Sequence, residues 1–207
     1  MAEPKNIPLF PETFFQDGSN RVYVASLEKN DRSADNTKVQ HKDILNEMLF
    51  SATGKAFDLH YDKHGKPWIP DSNSGFSLSH SKDFVAIIVS ESYNPGIDTE
   101  SLRLSLEKIV PRLLHKSERD FLESCSNRQM ALQFIWGAKE AVYKSWGKRG
   151  LIFAEDMVLE PFQTTGNDQL KCHFKKDGLH WIYSLQAIAF PGNYLVFTTM
   201  VVDQNAV

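Results

Sequence analysis

The chain has 207 residues and a mass of 23.6 kDa; 42% of its residues are hydrophobic and 24% are charged. This composition excludes disordered and fibrous proteins and allows a sizeable buried core. The 23 Lys and Arg residues nearly balance the 26 Asp and Glu residues, and the net charge of −3 excludes a chain-wide basic field that would bind nucleic acid or anionic membrane.

In chain order, the first half predicts strands around one amphipathic helix. Alternating β-branched residues predict strands, and apolar residues at helical spacing predict a helix. Gly and Pro residues indicate loops. The predicted elements are a strand at 21–27, a helix at 38–50, a loop at 62–70, and strands at 76–78 and 84–90. Ser79, His80 and Ser81 are expected to form the turn between the last two strands.

The second half predicts helices first and strands afterwards. A short helix is expected to begin at Ser117 as its capping residue, and a longer one spans 130–146 and ends near Gly147 and Gly150. Strands are predicted at 151–159, 170–174, 181–190 and 194–202. The recurrence of a helix followed by antiparallel strands hints at two similar halves joined near residues 94–105.

The N-terminus and the cysteines indicate a cytoplasmic protein. The first residues, MAEPKNIPLF, lack the basic and apolar segments of a secretory signal. Cys125 and Cys172 are expected to be free thiols. The uncharged stretch 181–202 is interrupted by a Pro-Gly-Asn turn, so it predicts a buried hairpin and no membrane span.

Asp98 and Glu100 are the first candidate metal ligands. They lie two residues apart on a predicted strand, and alternation aims both carboxylates at one side of it. Mg²⁺ prefers such oxygen ligands and usually keeps several waters. A solvated strand edge with two acidic residues is the alternative interpretation.

Glu140 and Lys144 form an i, i+4 pair on the predicted helix 130–146, so their side chains lie on one face. An ordinary helical ion pair is the simplest interpretation. The helix is, however, rich in apolar residues, and buried charges need partners. A metal shared with Asp98 and Glu100 would supply one.

Two loop motifs could bind an anion; a satisfied turn histidine and a solvated loop lysine are the alternative interpretations. Ser79, His80 and Ser81 would offer hydroxyls, backbone N–H groups and an imidazole, and Lys66 follows a glycine and precedes a proline in a fixed turn. Neither motif is a hydrolase nucleophile elbow or a P-loop. His60 and His64 lack a defined third and fourth ligand, so no zinc site is predicted.

Four motifs taken together, in this order, resemble the 4′-phosphopantetheinyl transferase superfamily, and within it the monomeric Sfp-type branch. They are GKPWIP at 65–70, FSLSHS at 76–81, GIDTE at 96–100 and WGAKEAVYKSWGKRGL at 136–151. The last is the most specific, because W-x-x-K-E-A-x-x-K followed by a glycine-rich turn is a long pattern.

The resemblance implies an activity: Mg²⁺-dependent transfer of the phosphopantetheine arm of coenzyme A to a serine of an apo acyl or peptidyl carrier protein, with release of adenosine 3′,5′-bisphosphate. It also implies roles for the residues named above. Asp98, Glu100 and Glu140 look like the Mg²⁺ ligands, Lys139 and Lys144 like the pyrophosphate contacts, and Lys66, Ser79 and His80 like the residues that bind the phosphates of coenzyme A. Lys42, with neighbouring His41, is the candidate for the adenosine 3′-phosphate. Glu140 is the candidate base for the serine proton, directly or through a metal-bound water.

The resemblance further implies an α+β pseudo-dimer with its active site in the cleft between two similar halves, residues 1–97 and 98–207. Each half would pack a helix on a small antiparallel sheet, and the protein would be a monomer. Two other classes stay open: a binding module that docks carrier protein or coenzyme A without chemistry, and a metal-dependent phosphoester hydrolase that uses the Asp98 and Glu100 pair.

Overall fold

The computed structural model describes residues 12–27, 34–54, 59–70, 72–102 and 104–204. The strands are β1 Glu12–Asp17, β2 Asn20–Ser26, β3 His60–Tyr61, β4 Pro67–Trp68, β5 Gly75–His80, β6 Phe84–Ser90, β7 Ile97–Ser101, β8 Met157–Leu159, β9 Asn167–Lys176, β10 Leu179–Phe190 and β11 Asn193–Asp203. The helices are α1 Ala34–Thr53, α2 Val110–Leu113, α3 Lys116–Ser124, α4 Arg128–Trp146 and α5 Phe153–Asp156, with a 3₁₀ helix at Leu104–Ile109.

Two larger antiparallel sheets organise the chain. The first has the order β1-β2-β6-β5, the second the order β7-β11-β10-β9-β8, and β3 and β4 form a separate hairpin. Helix α1 packs on the first sheet through Met48 and Leu49, both fully buried. Helix α4 packs on the second sheet, where Phe134 and Ala138 share a core with Tyr194. The mixed α+β class predicted from the sequence is confirmed, whereas the pseudo-dimer and the division at residue 97 stay predictions.

The two sheets meet at the edge strands β5 and β7. Ser77 Oγ accepts a hydrogen bond from the backbone N–H of Ile97 at 3.3 Å, and Ser79 Oγ accepts one from Thr99 at 3.2 Å. Two serines spaced by two residues point to the same side of a strand. Their hydroxyls therefore satisfy backbone donors of β7 and fix this strand beside β5.

Most predicted elements are confirmed, with four differences. Ser79 and His80 belong to strand β5, paired with Ala86 and Val85, because the alternation of the strand continues beyond residue 78. Residues 151–159 are not a single strand: short helix α5 precedes the three residues of β8. Helix α4 begins two residues before the predicted start and ends, as predicted, at residue 146; its C-cap Gly147 has a left-handed φ of 72°.

The fourth difference concerns the start of helix α3, where His115 rather than Ser117 is the N-cap. The backbone N–H of Ser117 donates to His115 Nδ1 at 3.3 Å, and the backbone N–H of His115 donates to Glu118 Oε2 at 2.7 Å. This reciprocal pattern is a capping box.

Among the helices that the structure describes, none combines the length and the apolar composition that a membrane span requires.

Candidate active site

A pocket of about 460 Å³ lies where strands β5 and β7, the β3–β4 hairpin and the C-terminal end of helix α4 meet. Its volume is within the range of small-molecule sites. The charged and histidine side chains that line it are His64, Lys66, His80, Asp98, Glu100, Lys144 and Lys148. Tyr61 and Tyr143 add aromatic surface. The tertiary structure thus brings together most of the residues singled out in the sequence.

Lys144 and Asp98 form the central ion pair of the pocket. Lys144 Nζ lies 2.8 Å from Asp98 Oδ1 and also donates to the carbonyl of Ile97 at 3.0 Å and to Ser79 Oγ at 2.9 Å. The Asp98 side chain is only 10% exposed, so its charge needs this compensation. Helix α4 and strand β7 are therefore linked through one ammonium group.

The close approach of β7 to α4 depends on Gly96. A side chain there would overlap the backbone carbonyl oxygen of Ala141 in the helix. The absence of a Cβ lets the strand run against the helix backbone. This contact sets the short distance between Asp98 on the strand and Lys144 on the helix.

Glu140 lies one turn before Lys144 on the same face of α4 and is half-buried. Burial and the negative charge of Asp98 raise the pKa of Glu140 to about 7, while Lys144 opposes the shift and Glu100 adds to it. The three carboxylates are therefore within electrostatic reach of one another. Glu140 itself is not part of the pocket lining described above.

No three His, Cys, Asp or Glu side chains within the described ranges form a group that could hold a metal ion by themselves. Mg²⁺ commonly takes only one or two carboxylates and completes its shell with water and substrate phosphates. The donor chemistry of Asp98, Glu100 and Glu140 fits such an ion, because all three offer carboxylate oxygens and their mutual repulsion favours a bound cation.

Lys66 contacts the C-terminal end of α4. Its Nζ donates to the carbonyl of Ser145 at 3.0 Å, which also accepts from Asn94 Nδ2 at 2.8 Å. An ammonium group is favourable at a helix C-terminus, where carbonyls lack partners. Burial lowers the pKa of Lys66 to about 8, with Asp62 acting in the opposite direction.

Lys139 differs from its predicted place at the pyrophosphate. Its side chain is fully buried, and Nζ donates to Glu118 Oε2 at 2.7 Å and to the carbonyls of Leu113 and Phe153 at 2.7 and 2.9 Å. All three donors are used inside the core beside α3 and α5. Lys139 therefore lies apart from the pocket, against the pyrophosphate contact implied for it, whereas Lys144 lines the pocket.

The remaining predicted residues are placed as follows. Ser79 is buried at the pocket wall and His80 is exposed on it. Lys42 and His41 lie in helix α1, but their side chains are outside the described part. Two other lining residues, Tyr143 and Lys148, were not predicted, although both fall inside the motif at 136–151. Only Lys148 carried a sequence signal, its position in a glycine-flanked turn.

Comparison with known proteins identifies the family. The sequence model of the 4′-phosphopantetheinyl transferase superfamily matches residues 94–199. This range includes strand β7 with Asp98 and Glu100, helix α4 and most of the second sheet. The chain belongs to this superfamily.

Two named relatives agree with this assignment. A protein of Haemophilus influenzae named "Putative 4′-phosphopantetheinyl transferase" is 29% identical over 108 residues, which cover 50% of this chain and 46% of that protein. The 4′-phosphopantetheinyl transferase HetI of Nostoc sp. is 35% identical over 95 residues, 42% of this chain and 40% of HetI. The chain thus spans less than half the length of each of these relatives.

Proposed function

We propose that this protein transfers the 4′-phosphopantetheine arm of coenzyme A to a serine of an apo acyl or peptidyl carrier protein and releases adenosine 3′,5′-bisphosphate. The observation that carries the proposal is the pair of Lys144 and Asp98, which places a cation and a carboxylate from two family motifs on one pocket wall. Both residues lie within the part of the chain that matches the superfamily.

Asp98, Glu100 and Glu140 would hold Mg²⁺ in this proposal. The ion would neutralise charge on the pyrophosphate of coenzyme A and on the leaving group. The support is the donor chemistry described above, in particular the raised pKa of Glu140, to which the neighbouring charges of Asp98 and Glu100 contribute.

The protein groups act mainly by positioning and by charge. The serine oxygen of the carrier attacks the β-phosphorus, the new O–P bond replaces the P–O bond to the nucleotide, and the pair of electrons leaves with adenosine 3′,5′-bisphosphate. Glu140 is the proposed acceptor of the serine proton, directly or through a water, because it is a half-buried carboxylate one turn before Lys144 on the same face of α4. Lys144 stabilises negative charge on the transferring group.

Lys66, Ser79 and His80 would bind the phosphates of coenzyme A in this proposal. Lys66 and His80 line the pocket, and Ser79 Oγ lies 2.9 Å from the ammonium of Lys144. Lys42 is proposed for the 3′-phosphate on the ground of the resemblance alone. A monomer is proposed on the same ground. A cytoplasmic location without membrane association is proposed from the charge, the cysteines, the N-terminal sequence and the interrupted stretch 181–202.

The test is intact-protein mass spectrometry on a panel of apo carrier proteins incubated with this protein, coenzyme A and Mg²⁺, beside a chelator control. A metal-dependent gain of one phosphopantetheine arm on the carrier serine is expected. Glu140→Ala should abolish the gain and keep the fold, whereas Glu123→Ala, at an exposed position of α3, should behave like the wild type. Turnover of Glu140→Ala at the wild-type rate would contradict the proposed site.

The same assay separates the other two classes. Hydrolysis of coenzyme A without any carrier would indicate a phosphoester hydrolase. Binding of coenzyme A with no transfer to any carrier would indicate a binding module. Neither class is favoured by a specific contact in the pocket. Three residues of the proposed transfer site, Asp98, Glu100 and Lys144, line it.

A further inference from the structure

Lys148 stands out among the three lysines that line the pocket, Lys66, Lys144 and Lys148. The ammonium of Lys144 has three acceptors, and that of Lys66 donates to the carbonyl of Ser145. Lys148 is exposed, and within the described ranges its ammonium has neither a hydrogen-bond acceptor nor a carboxylate partner; Nζ lies over the face of an aromatic ring. Its three N–H donors are therefore available to a ligand of the pocket.

The ring that contacts Lys148 belongs to Trp146, whose centroid lies 4.7 Å from Nζ. Trp146 is itself fixed by packing: its ring centroid is 4.9 Å from that of Phe174 and 5.5 Å from that of Trp181. Phe174 is fully buried in the core of the second sheet. A cation on an aromatic face keeps its position without using its N–H donors.

The turn after helix α4 places Lys148 at the wall of the pocket. Gly147 has a left-handed φ of 72°, and a side chain on it would lie 2.8 Å from Cδ of Lys66. The chain can thus reverse at the end of the helix and pass beside Lys66. As a result, two lysines from distant parts of the sequence line the same end of the pocket.

From this geometry we propose that Lys148 is a direct binding residue for a phosphate group of the pocket ligand. The inference rests on the proposed function, in which that ligand is coenzyme A. An ammonium group with free donors in a pocket is suited to phosphate oxygens, which form strong charge-assisted hydrogen bonds. The relevant phosphate is the pyrophosphate or the 3′-phosphate, and the experiment distinguishes them.

The experiment is calorimetric titration of the full chain with coenzyme A in the absence of a carrier protein. Lys148→Met should weaken binding about tenfold, the effect of losing one charge-assisted hydrogen bond. Lys148→Arg should restore most of the affinity, because a guanidinium also stacks on tryptophan and binds phosphate. Arg149→Met is the matched control: this neighbouring residue is exposed, carries the same charge and does not line the pocket. Its affinity should stay within twofold of the wild type.

A second titration with 3′-dephospho-coenzyme A assigns the phosphate. If the affinity of Lys148→Met falls about tenfold for both ligands, Lys148 binds the pyrophosphate. If the affinity falls only for coenzyme A, Lys148 binds the 3′-phosphate. If Lys148→Met and Arg149→Met bind coenzyme A with equal affinity while the wild-type protein is active in transfer, only the inference about Lys148 is overturned. Absence of coenzyme A binding by the wild type would overturn the proposed function together with it.

Discussion

Lys139 and Glu118 form a fully buried ion pair, with Nζ 2.7 Å from Oε2 and side chains 0% and 1% exposed. Glu118 also accepts hydrogen bonds from the backbone N–H of His115 at 2.7 Å and of Leu159 at 2.8 Å. The pair therefore joins helix α4, which carries Glu140 and Lys144, to helix α3 and strand β8. Its role is to fix the helix that presents the site.

Glu118→Ala should destabilise the protein by about 3–5 kcal/mol, because it leaves the ammonium of Lys139 buried without its counter-charge. The free energy of unfolding is measured by urea titration followed by circular dichroism. The matched control is Asp120→Ala in the same helix, which removes an exposed pair with Lys116 and should cost about 0.5 kcal/mol or less. Equal losses for the two variants would contradict the structural role of the buried pair.

Lys144→Met should lower the rate of phosphopantetheine transfer by about a hundredfold or more, the effect typical of removing one preorganised charge from a reacting phosphate. Ser79→Ala removes one neutral partner of that ammonium, together with the hydrogen bonds of Ser79 Oγ to Asp98 and from Thr99, and should cost about tenfold or less. Rates are measured by mass spectrometry at saturating coenzyme A. A Lys144→Met variant that keeps the wild-type rate would remove this lysine from the mechanism.

Coenzyme A binding should weaken as the pH rises above about 8. Burial lowers the pKa of Lys66 to about 8, so the ammonium loses its proton, and with it its attraction for phosphate, as the pH passes through that value. Calorimetry between pH 7 and 9.5 measures this loss. In Lys66→Arg the guanidinium stays charged, so the loss of affinity above pH 8 should be absent. If Lys66→Arg shows the same pH profile as the wild type, Lys66 is not the source of that loss.

Gly96→Ala should destabilise the protein by about 3 kcal/mol, since a methyl group would overlap the backbone of Ala141 and push β7 away from α4. Gly192→Ala is the control: nothing lies near its Cβ position, and only its φ of +74° imposes a cost of about 1 kcal/mol. Thermal unfolding compares the two. A Gly96→Ala protein as stable as Gly192→Ala would show that the close approach of strand and helix is not required.

Local sequence patterns predicted most elements correctly where one periodicity dominates a segment. Strand 84–90 has the predicted bounds, and helix α4 differs by two residues at its start. Errors occurred where two signals compete. Ser117 is a good N-cap residue, but His115 takes this position because Glu118 can complete the capping box from there.

The sequence by itself determined which chemistry is available: two carboxylates on one side of strand β7, and Glu140 and Lys144 on one face of helix α4. Both follow from the repeat of a strand or helix, which needs no partner. Only the tertiary structure decided which lysine of α4 enters the pocket. Lys139 and Lys144 are chemically identical and about 140° apart around the helix. Glu118, 21 residues before Lys139, pairs with that lysine in the core. Asp98, 46 residues before Lys144, pairs with Lys144 at the pocket.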